Sequence, residues 1–218
     1  MSIEQNLNKI KSSLPEQVTL VAVSKTKSVK EIMEAYQAGQ RIFGENKIQE
    51  MVEKHGELPE DIKWHMIGNV QRNKVKHMAS FVSMIHGVEN FRTLKEINKQ
   101  AKRNDRIIDC LLQIKIASED SKFGMSPSEA SDILKSSEFP ELKNIKVVGV
   151  MGMATFTDNQ EQIEKEFNLL KTTSNQLKTI HSELEIISMG MSGDYPLAIA
   201  CGSNMVRVGS SIFGERNY

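Results

Sequence analysis

A strand followed by a helix is predicted by the stretch Val18-Thr-Leu-Val-Ala-Val-Ser-Lys-Thr-Lys-Ser-Val-Lys-Glu31. Its first seven residues, Val18 to Ser24, form a β-rich run with apolar side chains on both faces, as a buried parallel strand requires. Ser28-Val-Lys-Glu31 is a capping box, which predicts a helix that starts there and ends at Gly39. Lys25 is therefore expected in the turn between a buried strand and its helix.

The same unit recurs along the chain. Seven further segments have strand character: Arg41–Phe43, Ile62–Ile67, Phe81–Ile85, Ile107–Ile116, Lys146–Met151, Glu185–Met189 and Met205–Val208. Helical patterns separate nearly all of them, including a second capping box at Ser126-Pro-Ser-Glu129. Strict alternation indicates a parallel sheet, and eight units predict an α/β fold, a single (β/α)8 TIM barrel. The alternative is a doubly wound open sheet, because two of the strands are very short.

The regions outside this repeat are small. Ile3, Leu7, Ile10 and Leu14 form an apolar stripe at helix spacing that Pro15 ends, which predicts an extra N-terminal helix. No Pro/Gly/Ser-rich linker or charge block divides the chain, so residues 1–218 are expected to form a single domain.

Composition excludes several classes of function. The 218 residues carry 28 Lys+Arg and 28 Asp+Glu, and this net charge of zero argues against binding to nucleic acid. No signal peptide and no membrane-spanning stretch is recognisable, so a cytoplasmic protein without membrane contact is expected. Cys110 and Cys201 lie outside any CxxC motif and are expected to be buried thiols, and the five histidines show no metal-ligand spacing.

Lys25 is the first candidate for chemistry. In a barrel the functional residues gather where strands end, and an ammonium that emerges there is partly desolvated. Desolvation lowers the pKa of a lysine and makes the amine a nucleophile for carbonyl groups. The alternative is a lysine that simply leaves the strand for solvent, in a region that is basic anyway.

Two glycine- and serine-rich segments follow the seventh and eighth strands, Met189-Gly-Met-Ser-Gly193 and Val208-Gly-Ser-Ser211. These are the usual positions of a phosphate site in a barrel, built from loop amides and the N-terminus of a short helix. Ser192 can add a hydroxyl donor, and Gly209 lets the backbone approach closely. Together with Lys25, the two segments favour a site for a phosphorylated carbonyl compound, although each alone is common turn chemistry.

Arg207 lies inside the last predicted strand. If its side chain faces the barrel interior, the guanidinium needs a buried acceptor. A structural ion pair with Glu45 is the simplest alternative to a functional role.

Longer motifs resemble a known family. They are Val21-Ala-Val-Ser-Lys-Thr-Lys27, Phe43-Gly-Glu-Asn-Lys47, Trp64-His-Met-Ile-Gly-Asn-Val-Gln-Arg-Asn-Lys74, Ser188-Met-Gly-Met-Ser-Gly-Asp194 and Gly202-Ser-Asn-Met-Val-Arg-Val-Gly-Ser-Ser-Ile-Phe-Gly214. The chain resembles, nearly end to end, the pyridoxal phosphate homeostasis proteins of the YggS/PROSC type. That family is similar to the barrel domain of alanine racemase, a fold-type III pyridoxal phosphate architecture, but lacks the second, β domain.

The resemblance implies a set of residues that bind pyridoxal 5′-phosphate (PLP). Lys25 would hold it as an internal aldimine, and Arg207 would face the pyridine nitrogen. The other implied contacts are Ser192, Gly209 and Ser210 at the phosphate, and Asn46, Met189 and His65 at or near the ring. Two positions depart from the family pattern, Asn204 and the segment His86-Gly-Val-Glu89. Lys122 is a further lysine that a loop could bring to the pocket.

Three functions are weighed. The first, which the resemblance implies, is a non-catalytic, monomeric carrier that buffers PLP and hands it to PLP-dependent apo-enzymes. The second is an amino-acid racemase, which needs an acid/base on each face of the cofactor; the only tyrosines, Tyr36, Tyr195 and Tyr218, lie in no comparable segment. The third is a Schiff-base aldolase, for which Glu45 is the available carboxylate near Lys25.

Overall fold

Eight parallel strands close into a barrel in the computed structural model, which describes residues 2–118 and 123–215. The strands are β1 Thr19–Val23, β2 Ile42–Glu45, β3 Lys63–Met66, β4 Met84–Val88, β5 Ile108–Gln113, β6 Ile145–Met151, β7 Ile186–Ser188 and β8 Met205–Val208. Each strand pairs with the next, and β8 pairs with β1. This closure confirms the (β/α)8 barrel and excludes the open sheet.

Helices surround the barrel. They are α1 Ile3–Ser13, α2 Val29–Gln37, α3 Ile48–Glu57, α4 Phe91–Arg103, α5 Pro127–Lys135, α6 Gln160–Lys178, α7 Tyr195–Ala200 and α8 Ser210–Phe213, with short 3-10 helices at Arg72–His77 and Phe139–Glu141. The extra N-terminal helix is confirmed as α1. No helix in the described ranges is long and apolar enough to cross a membrane.

Capping boxes set the starts of three helices. In the two predicted boxes, the serine hydroxyl accepts the backbone N–H of the glutamate three residues later, and that carboxylate accepts the serine N–H. These bonds satisfy amides that the first helical turn leaves without partners. A third box, Ser2 with Gln5, starts α1 and was not predicted.

The fourth strand is displaced from its predicted position. Phe81–Ile85 was predicted, whereas β4 covers Met84–Val88. The reason is a turn, in which the N–H groups of Phe81 and Val82 both bond the carbonyl of Met78. His86 is consequently a buried interior residue of the strand and not the first residue after it.

Two apolar clusters hold the barrel together. The larger cluster lies between the sheet and the helices and includes Phe43, Trp64 and Phe167, all fully buried. The smaller cluster fills the barrel interior with Val21, Ile67, Met84, Leu111, Met151 and Met205. This filling is expected, because layers of inward side chains pack a barrel of this size.

Only one of the two cysteines matches the expectation of buried thiols. Cys110 is fully buried in β5, and burial raises the pKa of its thiol. Cys201, at the end of α7, is only half-buried.

Gly149 is required by the packing of β6 against β7. A Cβ at this position would overlap the carbonyl oxygen of Ile186, whereas a Cβ at Gly56 in α3 would meet nothing within 4 Å. We expect Gly149→Ala to lower the free energy of unfolding by about 3 kcal/mol. Gly56→Ala is expected to raise it by about 0.5 kcal/mol, because alanine loses less conformational freedom in a helix. Urea unfolding of both variants checks the pair, and equal effects would contradict this packing.

Candidate functional site

The turn that carries Lys25 and the loop that begins at Gly209 are neighbours at the carboxyl end of the barrel. Strands β1 and β8 are parallel neighbours, and Ala22 lies opposite Val208. The two segments that follow these strands therefore leave the sheet side by side. A Cβ at Gly209 would lie 3.2 Å from the Cβ and from the carbonyl oxygen of Val23. Lys25 itself is half-buried. The structure thus places the turn that carries Lys25 beside the predicted phosphate loop.

The loop donors are organised around Ser192. Its Oγ accepts the backbone N–H of Gly209 at 3.2 Å and that of Ser211 at 3.4 Å, at the start of α8. Ser210 is exposed beside them. Hydroxyl groups and helix N-terminal amides are the donors that phosphate oxygens prefer. The chemistry of this set therefore fits the phosphate group of PLP.

Arg207 faces the barrel interior and is 3% exposed. It donates to Ser188 Oγ at 2.6 Å and to the carbonyl of Gly152 at 3.0 Å. Burial lowers the pKa of its guanidinium to about 10, with Asp194 opposing the shift, so the group is charged at neutral pH. The ion pair with Glu45 weighed from the sequence is wrong, because Arg207 is satisfied by β7 and by the loop after β6.

Two histidines extend this polar layer across the barrel. His86 Nδ1 lies 3.2 Å from Ser188 Oγ, and His86 Nε2 lies 3.0 Å from His65 Nδ1. Desolvation, with a contribution from Lys63, lowers the pKa of His65 to about 3. Desolvation, with the charges of His65 and Arg207, holds the pKa of His86 well below its usual value. Both rings are therefore neutral near pH 7.

The two neutral histidines of this layer predict that the folded protein loses stability in acid. In the unfolded chain each histidine titrates near its ordinary pKa of about 6.5, so below that pH the unfolded state binds more protons than the folded state. Stability is then full above about pH 6.5 and falls as the pH drops toward 3. The slope of the unfolding free energy against pH reports how many more protons the unfolded state binds. Between pH 6 and 4 we expect His86→Gln to lower that number by about one. Urea unfolding across that range measures the slope, and an unchanged slope would show that His86 is not buried in its neutral form.

The ring contacts implied by the resemblance are brought together only in part. Asn46 follows β2, and a Cβ at Gly68 would overlap its carbonyl oxygen, so glycine permits the close approach of β2 and β3 there. His65 lies in the polar layer. The Met189 side chain, in contrast, is fully buried in the larger apolar cluster, on the opposite side of its chain from Ser188.

Glu45 belongs to a buried group that the sequence analysis missed. It is 0% exposed and accepts the hydroxyl of Ser24 at 2.6 Å and the ammonium of Lys54 at 2.8 Å. Desolvation raises its pKa, although Lys54 and Ser24 act in the opposite direction. Both bonds are to Oε1 of Glu45, and its buried Oε2 has no hydrogen-bond partner among the described residues. The spacing of Glu50 and Lys54 was the one available signal for this group.

Two residues weighed from the sequence, Lys122 and Tyr218, lie outside the described residues.

Comparison with known proteins agrees with this geometry. The alanine racemase N-terminal domain family matches residues 1–217. The pyridoxal phosphate homeostasis protein of Haemophilus influenzae is 37% identical over 100% of this chain and 98% of its own length. The protein of the same name from Schizosaccharomyces pombe is 38% identical over 91% of this chain and 84% of its own.

Solved structures show the same relation. The structure of PipY of Synechococcus elongatus with PLP bound has a TM-score of 0.90 and 32% identity, over 98% of this chain and 100% of that one. Alanine racemase of Clostridium difficile shares the fold, with a TM-score of 0.80 and 20% identity, over 100% of this chain and 60% of the racemase. The chain therefore belongs to the alanine racemase N-terminal domain family and, within it, to the pyridoxal phosphate homeostasis proteins.

Proposed function

We propose that this protein binds PLP at the carboxyl end of its barrel, as a Schiff base on Lys25, and serves PLP homeostasis in the cytoplasm without catalysing a reaction. The observation that carries the proposal is the pairing of β1 with β8, which sets the Lys25 turn beside the Ser192–Gly209 donors. The relatives named for PLP homeostasis and the PLP-bound PipY support it.

The roles follow from the donor types. Ser192, Gly209 and Ser210 would hold the phosphate through hydroxyl and backbone N–H donors in the loops after β7 and β8. Arg207 would face the pyridine nitrogen; its bonds to Ser188 Oγ and to the Gly152 carbonyl use two of the five N–H donors that an arginine carries. Asn46 and His65 would lie at or near the ring, whereas the Met189 side chain, buried in the larger apolar cluster, would not contact it.

Arg207 also limits what the site can do. PLP supplies an aldehyde that captures amines and a ring that withdraws electrons, most strongly when its nitrogen is protonated. A guanidinium donates a hydrogen bond to that nitrogen but gives up no proton, because its pKa lies far above neutrality. Arg207 would therefore leave the ring a weaker electron sink than a carboxylate partner would.

Tyr36 is not placed as the second acid/base of a racemase. A racemase needs a second acid/base opposite the lysine. The Tyr36 hydroxyl is bonded to Asp61 at 2.7 Å, close to Arg41. Arg41 immediately precedes β2 and Asp61 precedes β3, so this tyrosine lies toward the amino ends of the strands.

We propose a monomer in which residues 1–218 act as one domain and PLP-dependent apo-enzymes receive the cofactor.

Transfer and turnover measurements separate the two functions. The purified protein is loaded with PLP, then mixed either with a panel of L-amino acids or with an apo-enzyme that requires PLP. We expect activation of the apo-enzyme and neither product formation nor loss of stereochemistry in the amino acids. Reproducible turnover that disappears in Lys25→Ala would establish an enzyme instead, and failure of the protein to take up PLP would refute both functions.

Ser192 is expected to matter for affinity rather than for covalent attachment. Ser192→Ala removes a hydroxyl from the phosphate donors and the cap from the amides of Gly209 and Ser211, so PLP should bind about tenfold more weakly. Ser182→Ala, which changes an exposed serine in the loop before β7, is the control. PLP titrations followed in the visible spectrum measure both, and equal affinities would place the phosphate elsewhere.

A further inference from the structure

A buried ion cluster lies directly behind the turn that carries Lys25. We define the Lys54 cluster as Lys54, Glu45, Glu50 and Ser24. The Lys54 ammonium donates to the Ser24 carbonyl at 2.7 Å, to Glu45 Oε1 at 2.8 Å and to Glu50 Oε1 at 2.7 Å. An ammonium has three donors, so this set uses all of them. The Lys54 side chain is only 8% exposed, although it lies on a surface helix.

The turn itself is strained. Ser24 to Lys27 form a β-turn, closed by a 3.0 Å bond from the N–H of Lys27 to the carbonyl of Ser24. Thr26, the third residue, has a φ of 65°. A positive φ at this position is typical of a type II turn and favours glycine, whereas a β-branched residue resists it. Some other contact must therefore keep the turn in this conformation.

The Lys54 cluster supplies that contact on both sides of Lys25. Before it, Lys54 bonds the carbonyl of Ser24, and Glu45 accepts the Ser24 hydroxyl. After it, Glu50 accepts the N–H of Thr26. Lys54 holds both carboxylates, so the three bonds to the turn depend on one ammonium.

Barrel stability alone does not explain such a cluster. Burying an ammonium and a carboxylate costs solvation, and apolar side chains of the same size commonly serve as well. The cluster's bonds instead end on the two residues that flank the proposed cofactor lysine. A link to the geometry of Lys25 accounts for their positions.

We propose that Lys54 is a positioning residue for Lys25. It holds the strained Ser24–Lys27 turn in the conformation that presents the Lys25 amine to the phosphate loop. This inference rests on the proposed function, since it assumes that Lys25 attaches PLP. Loss of Lys54 should relax the turn and impair attachment, while the phosphate donors on β7 and β8 remain intact.

Two ligands distinguish impaired attachment at Lys25 from impaired binding of the phosphate. PLP requires Lys25 for attachment, whereas pyridoxine 5′-phosphate has the same ring and phosphate but no aldehyde. We expect Lys54→Met to bind PLP about tenfold more weakly, the size expected from releasing one strained residue, and to bind pyridoxine 5′-phosphate within about twofold of the original protein. Lys99→Met, at an exposed lysine of α4, is the control.

A second substitution examines the cause. Thr26→Gly removes the steric objection to a positive φ, so in the Lys54→Met background it should restore most of the PLP affinity. A general loss of packing would not be repaired by a glycine in the turn. Unchanged PLP affinity in Lys54→Met, equal losses for both ligands, or no rescue by Thr26→Gly would each overturn the proposal.

Folding and function are kept apart in this design. Circular dichroism monitors each variant, and if Lys54→Met does not fold, Glu50→Ala replaces it, because it removes the bond to Thr26 and leaves Lys54 bonded to Ser24 and Glu45. Glu50→Ala is then expected to weaken PLP binding, by less than Lys54→Met would, and to leave binding of pyridoxine 5′-phosphate nearly unchanged. Equal losses of affinity for the two ligands would overturn the proposal. If the unsubstituted protein binds no PLP, the proposed function fails, which is a different result.

Discussion

Lys25→Ala protein is expected to bind no PLP covalently and to remain colourless after incubation and removal of excess cofactor. The reason is chemical, because alanine has no amine to capture the aldehyde, and the nearby Lys27 ammonium is bonded to the carbonyl of Phe213. The fold should be retained, since a half-exposed lysine at a loop position contributes little to stability, within about 0.5 kcal/mol. Spectra and thermal melts of the two proteins measure both expectations.

A nearby lysine provides the control for this loss. Lys30→Ala removes an exposed amine five residues away on α2 and should take up PLP like the original protein. Colour retained in Lys25→Ala, or lost in Lys30→Ala, would contradict the assignment of Lys25.

The second large effect is expected at Arg207. Arg207→Met removes the proposed donor to the ring nitrogen, and a hydrogen bond from a charged group contributes about 1.5–3 kcal/mol, so PLP affinity should fall by about 10–100-fold. Ser188 and the carbonyl of Gly152 also lose their partner, so some stability should be lost as well. PLP titration and urea unfolding separate these two consequences.

A spectroscopic signature distinguishes the ring contact from a structural role. With Arg207 present the ring nitrogen cannot be protonated, and the visible band should not shift with pH on that account. In Arg207→Met the nitrogen becomes able to accept a proton, so a pH-dependent band should appear. Arg72→Met, at an exposed arginine, is the control. Equal PLP affinity in Arg207→Met and the control would remove Arg207 from the site.

The barrel could be predicted because its signals are local. Val18 to Ser24 is both a buried strand and the start of a repeated unit, and the capping boxes at Ser28 and Ser126 locate helix starts within a residue. The error at β4 has the same origin. Phe81 and Val82 are as apolar as the strand residues that follow, so an apolar run does not reveal where a turn ends and a strand begins.

The positions of the candidate site residues were predictable where those residues follow strand ends. Lys25 and the Ser192 and Gly209 loops follow strand ends, which is a position that the chain order reveals. The partners of Arg207 were not predictable, because Ser188 and Gly152 reach it through the closure of the barrel. In the sequence Lys54 resembles an ordinary exposed lysine of a helix, and only its contacts with Ser24 and Glu45 in the folded chain show that it is buried.

Reduction with borohydride identifies the lysine to which PLP is attached. The intact protein is incubated with PLP, reduced so that the cofactor is fixed to its lysine, digested and mapped by mass spectrometry. We expect modification of one lysine, Lys25, in the peptide that also contains Ser24 and Thr26. Modification at another lysine with Lys25 unmodified, or no uptake of PLP, would contradict it.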